Sequence, residues 1–264
     1  MMLKTNSIKA ILLIALSTIG LSACANKPTA EAKQMIIVTA KDWNTSTGTL
    51  QRFERMSIDA PWQKVGKETA VQLGKNGMAW GTGLHEAPLT KEGLVITAEG
   101  MKRSPVGVFS IPVAFGRDEA SNWSVKMPYV KITKTIFCSG DPESKNYNHL
   151  VDASKEPKED WSKGEDMQDY VNQGVYTYGA MISHNYSPTK PGHGSCFFIH
   201  VWRGPDKPTA GCTGMAETDT KEIVSWLDPE KNPVLVQLPE TIYSEVKNKW
   251  DLPDLQIPTA QKEL

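Results

Sequence analysis

Apolar and polar positions alternate with a period of two through much of this 264-residue chain, the spacing of strands that bury one face. "VGVFSIPVAF" (106–115), "MPYVKIT" (127–133) and "VLVQL" (234–238) are such runs, and "VQLGKNGMAWGTGL" (71–84) is interrupted by turn glycines. "YTYGAMISHN" (176–185) and "SCFFIHVW" (195–202) are two further strands, parted by the Pro- and Gly-rich loop "YSPTKPGHG". In "SCFFIHVW" the period puts Cys196, Phe198, His200 and Trp202 on one face and Phe197, Ile199 and Val201 on the other. A strand apolar on both faces is buried, so His200 sits at its mouth, where the chain turns out through Arg203-Gly204-Pro205.

Helical spacing is confined to two segments. "DTKEIVSWLDP" offers Asp219 as N-cap, Glu222 three residues later, apolar Ile223, Val224, Trp226 and Leu227, and a stop at Pro229. "KEDWSKGEDMQDYVNQG" (158–174) carries Trp161, Met167 and Tyr170 near helical spacing. The tail from about 241 is polar and Pro-punctuated and is expected to wrap the surface. The body is therefore mainly β, with no internal repeat and no low-complexity tract.

With 39% hydrophobic and 22% charged residues, the chain suits one globular domain with extra segments at its ends. A net charge of -1 with scattered Lys and Arg gives no basic stripe, so nucleic acid is not an expected partner. Lys4 and Lys9 precede "AILLIALSTIG", an apolar run too short to span a bilayer and typical of a secretory leader. That run ends in "LSAC", Leu21 to Cys24, which resembles the cleavage box of bacterial lipoproteins. The resemblance implies cleavage before Cys24, a diacylglycerol on its sulfur, and a membrane-anchored protein of the cell envelope. The anchor would face the peptidoglycan from the outer membrane in a two-membrane bacterium. The expected divisions are a leader over 1–23, lipidated Cys24 and a polar tether over 24–35, a body over 36–240 and a tail over 241–264.

With Cys24 lipidated, Cys138, Cys196 and Cys212 remain in an oxidising compartment. Three is odd, so at least one thiol is unpaired unless it bonds another chain. Whether Cys138 and Cys196 form a bridge depends on a separation the sequence does not give.

Cys212 follows Gly211 at the end of a turn, twelve positions after His200. Thiol acyl transfer needs a nucleophilic sulfur, a base, and donors for the developing oxyanion. His200 can be the base, and consecutive backbone N–H groups around Gly211 and Cys212 can be the donors while lowering the pKa of the thiol. Spacing alone leaves two alternatives open. His200 can be a core histidine satisfied by one hydrogen bond. His193, Cys196 and His200, with His184 nearby, can be read as a zinc set, although no H-x-H or H-E-x-x-H motif accompanies them.

"FFIHVWRGPDKPTAGCTGM" (197–215) resembles the catalytic segment of the L,D-transpeptidase (YkuD-like) family. The shared elements are a strand ending in histidine, a loop, then Ser or Thr, any residue, Gly and Cys: here His200, Thr209, Ala210, Gly211 and Cys212. "GMKRSPVGVFSIPVAFG" (100–116) resembles the family's T/S-P-x-G-x-F strand, and the likeness covers roughly 36–240. It is a divergent match: commoner members have Gly after the histidine, a longer loop, and Arg or Asn two residues after the Cys, where this chain has Val201 and Gly214.

The resemblance implies a mixed β-sandwich with one or two peripheral helices. It implies a peptidoglycan L,D-transpeptidase in which Cys212 attacks the carbonyl at the L centre of a diaminopimelate in a stem peptide. D-alanine would leave and an amine of another stem would resolve the thioester. His200 is the implied base and acid, Gly211 and Cys212 supply the implied oxyanion donors, and a backbone carbonyl orients the histidine. Thr209, Arg203, His184, Ser195 and Trp202 are candidates for substrate contact. No cofactor and no metal are implied. Water as acceptor would give a carboxypeptidase or endopeptidase, and loss of turnover would give a wall-binding lipoprotein.

Overall fold

The computed structural model describes residues 27–86, 95–156, 160–162 and 164–255. The strands are β1 (Gln34–Ala40), β2 (Thr47–Glu54), β3 (Gln63–Gln72), β4 (Met78–Trp80), β5 (Ser104–Ser110), β6 (Val113–Gly116) and β7 (Tyr129–Lys131). After them come β8 (Ile136–Ser139), β9 (Leu150–Asp152), β10 (Gly164–Asp166), β11 (Tyr178–Met181), β12 (Phe198–Val201), β13 (Thr213–Met215) and β14 (Val234–Pro239). Among the described residues three α-helices are interspersed: α1 (Met167–Asn172), α2 (Glu217–Trp226) and α3 (Glu240–Trp250). Eleven strands form one mixed sheet in the order β4-β5-β14-β1-β2-β3-β13-β12-β11-β6-β7, and β10-β8-β9 form a second.

The large sheet curls back on itself. β5 and β11 stand far apart in its order, yet the Ser183 amide after β11 donates to the Ser110 carbonyl of β5 at 2.9 Å, and Phe109 meets His184 edge to face. Between the two halves lies the main core, built of β1, β5, β14 and one face of β12, with α2 and α3 closing it. This is the expected mainly β sandwich, with three helices instead of one or two.

Local differences from the sequence pattern have physical reasons. "VGVFSIPVAF" is two strands, β5 and β6, because Pro112 has no N–H to give a ladder. Helix α2 begins at Glu217, two residues before the expected cap; Asp219 lies in its first turn and pairs with Lys67 at 3.0 Å. Within 158–174 only 167–172 is helical, capped by Asp166, whose carboxylate accepts from the Gln168 and Asp169 amides. Residues 164–166 are the strand β10. Part of that segment, 158–159 and 163, lies outside the described residues.

Both ends of the body are more ordered than composition suggested. Residues 240–250 are helix α3, with Tyr243 and Trp250 on its buried side and the Tyr243 hydroxyl donating to Pro253 O at 2.6 Å. Two aromatics seven apart define a helical stripe that the surrounding polar residues obscure. Residues 27–33, expected as tether, are docked: buried Arg55 donates to the carbonyls of Thr29, Ala30 and Ala32. A buried guanidinium needs its donors filled, and this segment fills them. Cys24 and the leader lie outside the described residues. Among the described residues no helix is long and apolar enough to cross a membrane.

A second apolar cluster covers the other face of β12. It contains Phe198, Cys196 and Cys212 from the large sheet's side, Cys138 and Ile136 from β8, Met167 and Val171 from α1, and Tyr176. The small sheet and α1 thus form a cap over the β12 face that carries Phe198 and His200. A Cys138–Cys196 disulfide joins cap to strand.

Candidate active site

His200 and Cys212 are placed by two neighbouring parallel strands. β12 and β13 pair with Ile199 opposite Thr213 and His200 opposite Gly214. Paired residues of neighbouring strands project to the same face, so Cys212, two before Gly214, lies on the His200 face beside Phe198. The Phe198 amide donating to Cys212 Sγ at 3.4 Å fixes that position. The two candidate residues therefore stand on adjacent chain segments, with strands spaced about 4.8 Å across the sheet, and two residues apart along it. The alternation in "SCFFIHVW" holds: Phe197, Ile199 and Val201 enter the main core, Cys196 and Phe198 the second cluster.

The turn before Cys212 is held at several points. Thr209 N donates to Leu73 O at 2.8 Å, and Lys75 N donates to Thr209 O at 2.9 Å. Thr209 Oγ1 accepts from Gly211 N at 3.0 Å and donates to Cys212 O at 2.6 Å. Gly211 has φ +142°, and a Cβ there would lie 2.5 Å from Phe197 Cε1 and 2.9 Å from Arg103 O, so only glycine fits. The expectation that the Gly211 amide helps hold an oxyanion is corrected by this turn: its N–H is already spent on Thr209. No described residue accepts from the Cys212 amide.

His200 Nδ1 lies 2.8 Å from Val201 O. A carbonyl only accepts, so Nδ1 carries the hydrogen and Nε2 is left as the basic nitrogen. Burial first pushes the imidazole pKa down to about 4, with the Arg203 charge adding to it. Burial also pushes the Cys212 thiol up, with the Glu165 charge second. The expected low-pKa thiol is thereby corrected: at neutral pH the resting pair is thiol and neutral imidazole. Sγ faces Cys196 O at 3.6 Å and the Phe198 amide, with no hydrogen bond to the imidazole. Cys212 is the free cysteine among the described residues.

Other expected contacts divide. Arg203 is exposed at the rim, its guanidinium 5.9 Å over the Tyr170 ring. Trp202 is half-buried beside Gly214. Ser195 is half-buried near Gly140 and Tyr147 of the cap. His184 lies elsewhere: it is 1% exposed, Nδ1 accepts from the Thr82 amide at 3.1 Å, and Nε2 meets His193 O at 3.0 Å. With both nitrogens occupied inside the protein it braces loops and has no free atom for substrate. The zinc set falls on similar grounds, since the Cys196 sulfur is bonded to Cys138.

Sequence reasoning missed the cap residues. Tyr176 packs edge to face on His200, ring centroids 5.3 Å apart, and stacks on Tyr170 at 4.6 Å. Its hydroxyl donates to Glu165 Oε2 at 2.5 Å. Asn148 amide nitrogen donates to the carbonyls of His184 and Asn185, and its oxygen accepts from the Cys196 amide at 2.8 Å, tying the cap to the start of β12. The acid- and aromatic-rich "GEDMQDYVNQGVY" was the available signal, but its place beside His200 depends on β10 pairing with β8 at one end and β11 pairing with β12 at the other.

The motif strand has a structural account as well. Gly107 has φ +143°, and a Cβ there would fall 1.9 Å from the His85 ring, whose Nδ1 accepts from the Val108 amide. The family model for the L,D-transpeptidase catalytic domain, YkuD, matches residues 78–236, which hold both this strand and the His200–Cys212 segment. Comparison with curated proteins and with solved structures gave no match. Motif strand, histidine strand and cysteine turn fall within one matched span of more than half the chain, and the chain belongs to the YkuD family of L,D-transpeptidase catalytic domains, a peptidoglycan enzyme family.

Proposed function

We propose that the protein is a cysteine acyltransferase that cross-links peptidoglycan stems through a thioester on Cys212. The observation that carries this reading is the Nδ1 contact of His200 with Val201 O, which leaves Nε2 as the basic nitrogen of a side chain on the sheet face it shares with Cys212. In the first step Cys212 Sγ rotates away from Cys196 O and attacks the carbonyl carbon at the L centre of diaminopimelate. Nε2 takes the thiol proton as the C–S bond forms. The imidazolium so created is held by the Nδ1–H bond to Val201 O. The Cys212 amide is the donor available to the tetrahedral oxygen.

Collapse of that intermediate breaks the bond to D-alanine, whose nitrogen receives the proton from Nε2. The second stem's amine then attacks the thioester, gives a proton to Nε2, and the sulfur leaves and is reprotonated. Because the imidazole is neutral at rest, the proton moves during attack. No thiolate–imidazolium pair waits beforehand.

Lipidation at Cys24 belongs to the same proposal. The chain is docked from residue 27, so only Ala25 and Asn26, roughly 10 Å of extended backbone from Cys24 to residue 27, would separate the lipid from the domain. The anchor would hold the enzyme close to its membrane.

The test is product analysis. The protein is incubated with defined diaminopimelate tetrapeptide muropeptides, and D-alanine release and cross-linked dimers are followed by mass spectrometry. Equimolar D-alanine and dimer are expected. D-alanine with hydrolysed tripeptide alone would replace transfer by hydrolysis, and no product would remove the enzymatic reading.

A further inference from the structure

The cap places near the nucleophile a carboxylate that has no ion-pair partner among the described residues. Glu165 lies in β10, opposite Cys138 of β8, whose disulfide partner Cys196 offers its carbonyl to Cys212 Sγ. Its Oε2 accepts from Tyr176, the residue that packs on His200. Among the described residues Oε1 has no hydrogen-bond partner, and no Lys or Arg forms an ion pair with Glu165. The side chain is partly open to solvent although densely surrounded by protein. Beside it the stacked rings of Tyr170 and Tyr176 form an aromatic wall.

A carboxylate with little water and no cation is costly unless a ligand supplies the charge. The Tyr170 ring already takes the Arg203 guanidinium at 5.9 Å, so the partner left for a compact cation such as an ammonium is the second carboxylate oxygen. We propose that Glu165 is a specificity-determining residue, its carboxylate taking the free ammonium group of a diaminopimelate-type stem peptide and so holding that peptide across Cys212. The assignment rests on the acyl-transfer reading for its substrate, while the cation site itself needs no turnover.

Supporting electrostatics run the same way. Burial, with a smaller contribution from Glu99, pushes the Glu165 carboxyl up to about 7. The Glu165 charge also opposes ionisation of Cys212. An ammonium seated on Glu165 would cancel that opposition, so the occupied site is the one in which the thiol is easiest to activate.

The experiment measures modification of Cys212 in the full chain by matched methanethiosulfonates, one aminoethyl and cationic, the other sulfonatoethyl and anionic. Each transfers its thioalkyl group to the thiolate and releases methanesulfinate. The wild type should favour the cationic reagent, and Glu165→Gln, which keeps an acceptor for Tyr176, should lower the cation-to-anion rate ratio about tenfold, the scale of one nearby charge. Tyr176→Phe and Glu165→Asp, which retain the charge, should keep the preference. With muropeptides, Glu165→Gln should raise KM about tenfold for stems with a free amine and leave KM unchanged for stems N-acetylated there.

An unchanged rate ratio in folded Glu165→Gln overturns the proposal, as does loss of the preference in Glu165→Asp equal to that in the Gln variant. If the ratio collapses while no muropeptide is turned over, the cation site stands and the transpeptidase reading falls.

Discussion

Thr209→Val removes the two hydrogen bonds that fix the cysteine turn while keeping the side chain's shape. The hydroxyl accepts from Gly211 N at 3.0 Å and donates to Cys212 O at 2.6 Å. Each neutral bond contributes about 1 kcal/mol, and each backbone group left unpaired costs about 1–3 kcal/mol. Both groups sit in a half-buried turn, so the low end applies and the sum is about 2–4 kcal/mol. At roughly 2–4 °C per kcal/mol for a domain of this size, Tm should fall by about 4–16 °C. The larger effect should be on rate. The hydroxyl positions the residue that carries the sulfur, and a displacement of about 1 Å can cost about 100-fold in kcat/KM. Differential scanning fluorimetry gives the first quantity and initial rates of D-alanine release give the second. Thr209→Ser should restore both. A Tm loss with unchanged kcat/KM would show that Thr209 only shapes a loop and that the turn does not aim the nucleophile.

Three further outcomes follow from the same structure. His200 and His184 are each lowered to about 4 by burial, so the unfolded chain binds the extra protons as pH falls from 6.5 to 4. Stability is whole above 6.5 and should decline across that window by about 3 kcal/mol for each histidine; urea titrations giving a flat profile from pH 7 to 4 would contradict the buried neutral state. Replacing Cys138 and Cys196 together by alanine opens a loop of 58 residues and should cost about 4 kcal/mol by loop entropy, with the loss of activity exceeding the loss of fold because the bridge joins cap to β12; full activity in the double variant would free the site from the cap. Iodoacetamide should label Cys212 slowly at pH 7 and much faster at alkaline pH, since burial holds the thiol up; rapid labelling at pH 6 would instead indicate a preformed thiolate.

Much of the site was legible because it is local. Alternation in "SCFFIHVW" gave the face of His200, and Gly211 before Cys212 marked a turn that no larger residue could make. The motif strand 104–109 was legible for a similar reason, its glycine making room for a histidine ring. What the sequence hid depends on contacts between distant segments. Glu165 reaches the site because β10 pairs with β8 and a disulfide fastens β8 to the start of β12, and Tyr176 because the chain entering β11 runs beside β12. The protonation states of Cys212 and His200 follow from burial beneath that cap, which no spacing records. His184 looked like a groove residue beside polar loops, but its ring closes contacts to Thr82 and His193 in the interior. Helix α3 was masked by charged residues around Tyr243 and Trp250, and residues 27–33 by the absence of any sign that Arg55 would collect their carbonyls.

The central claim is a covalent acyl group on the Cys212 sulfur, formed while His200 holds the proton. The most direct measurement is intact-protein and peptide-level mass spectrometry after brief incubation with a tetrapeptide muropeptide at neutral pH and acid quench. The predicted result is an adduct equal to the muropeptide less D-alanine, mapped to Cys212, released by hydroxylamine, and absent from folded Cys212→Ala and from His200→Ala. Turnover by Cys212→Ala at the wild-type rate, or an adduct mapped to any other residue, would contradict it.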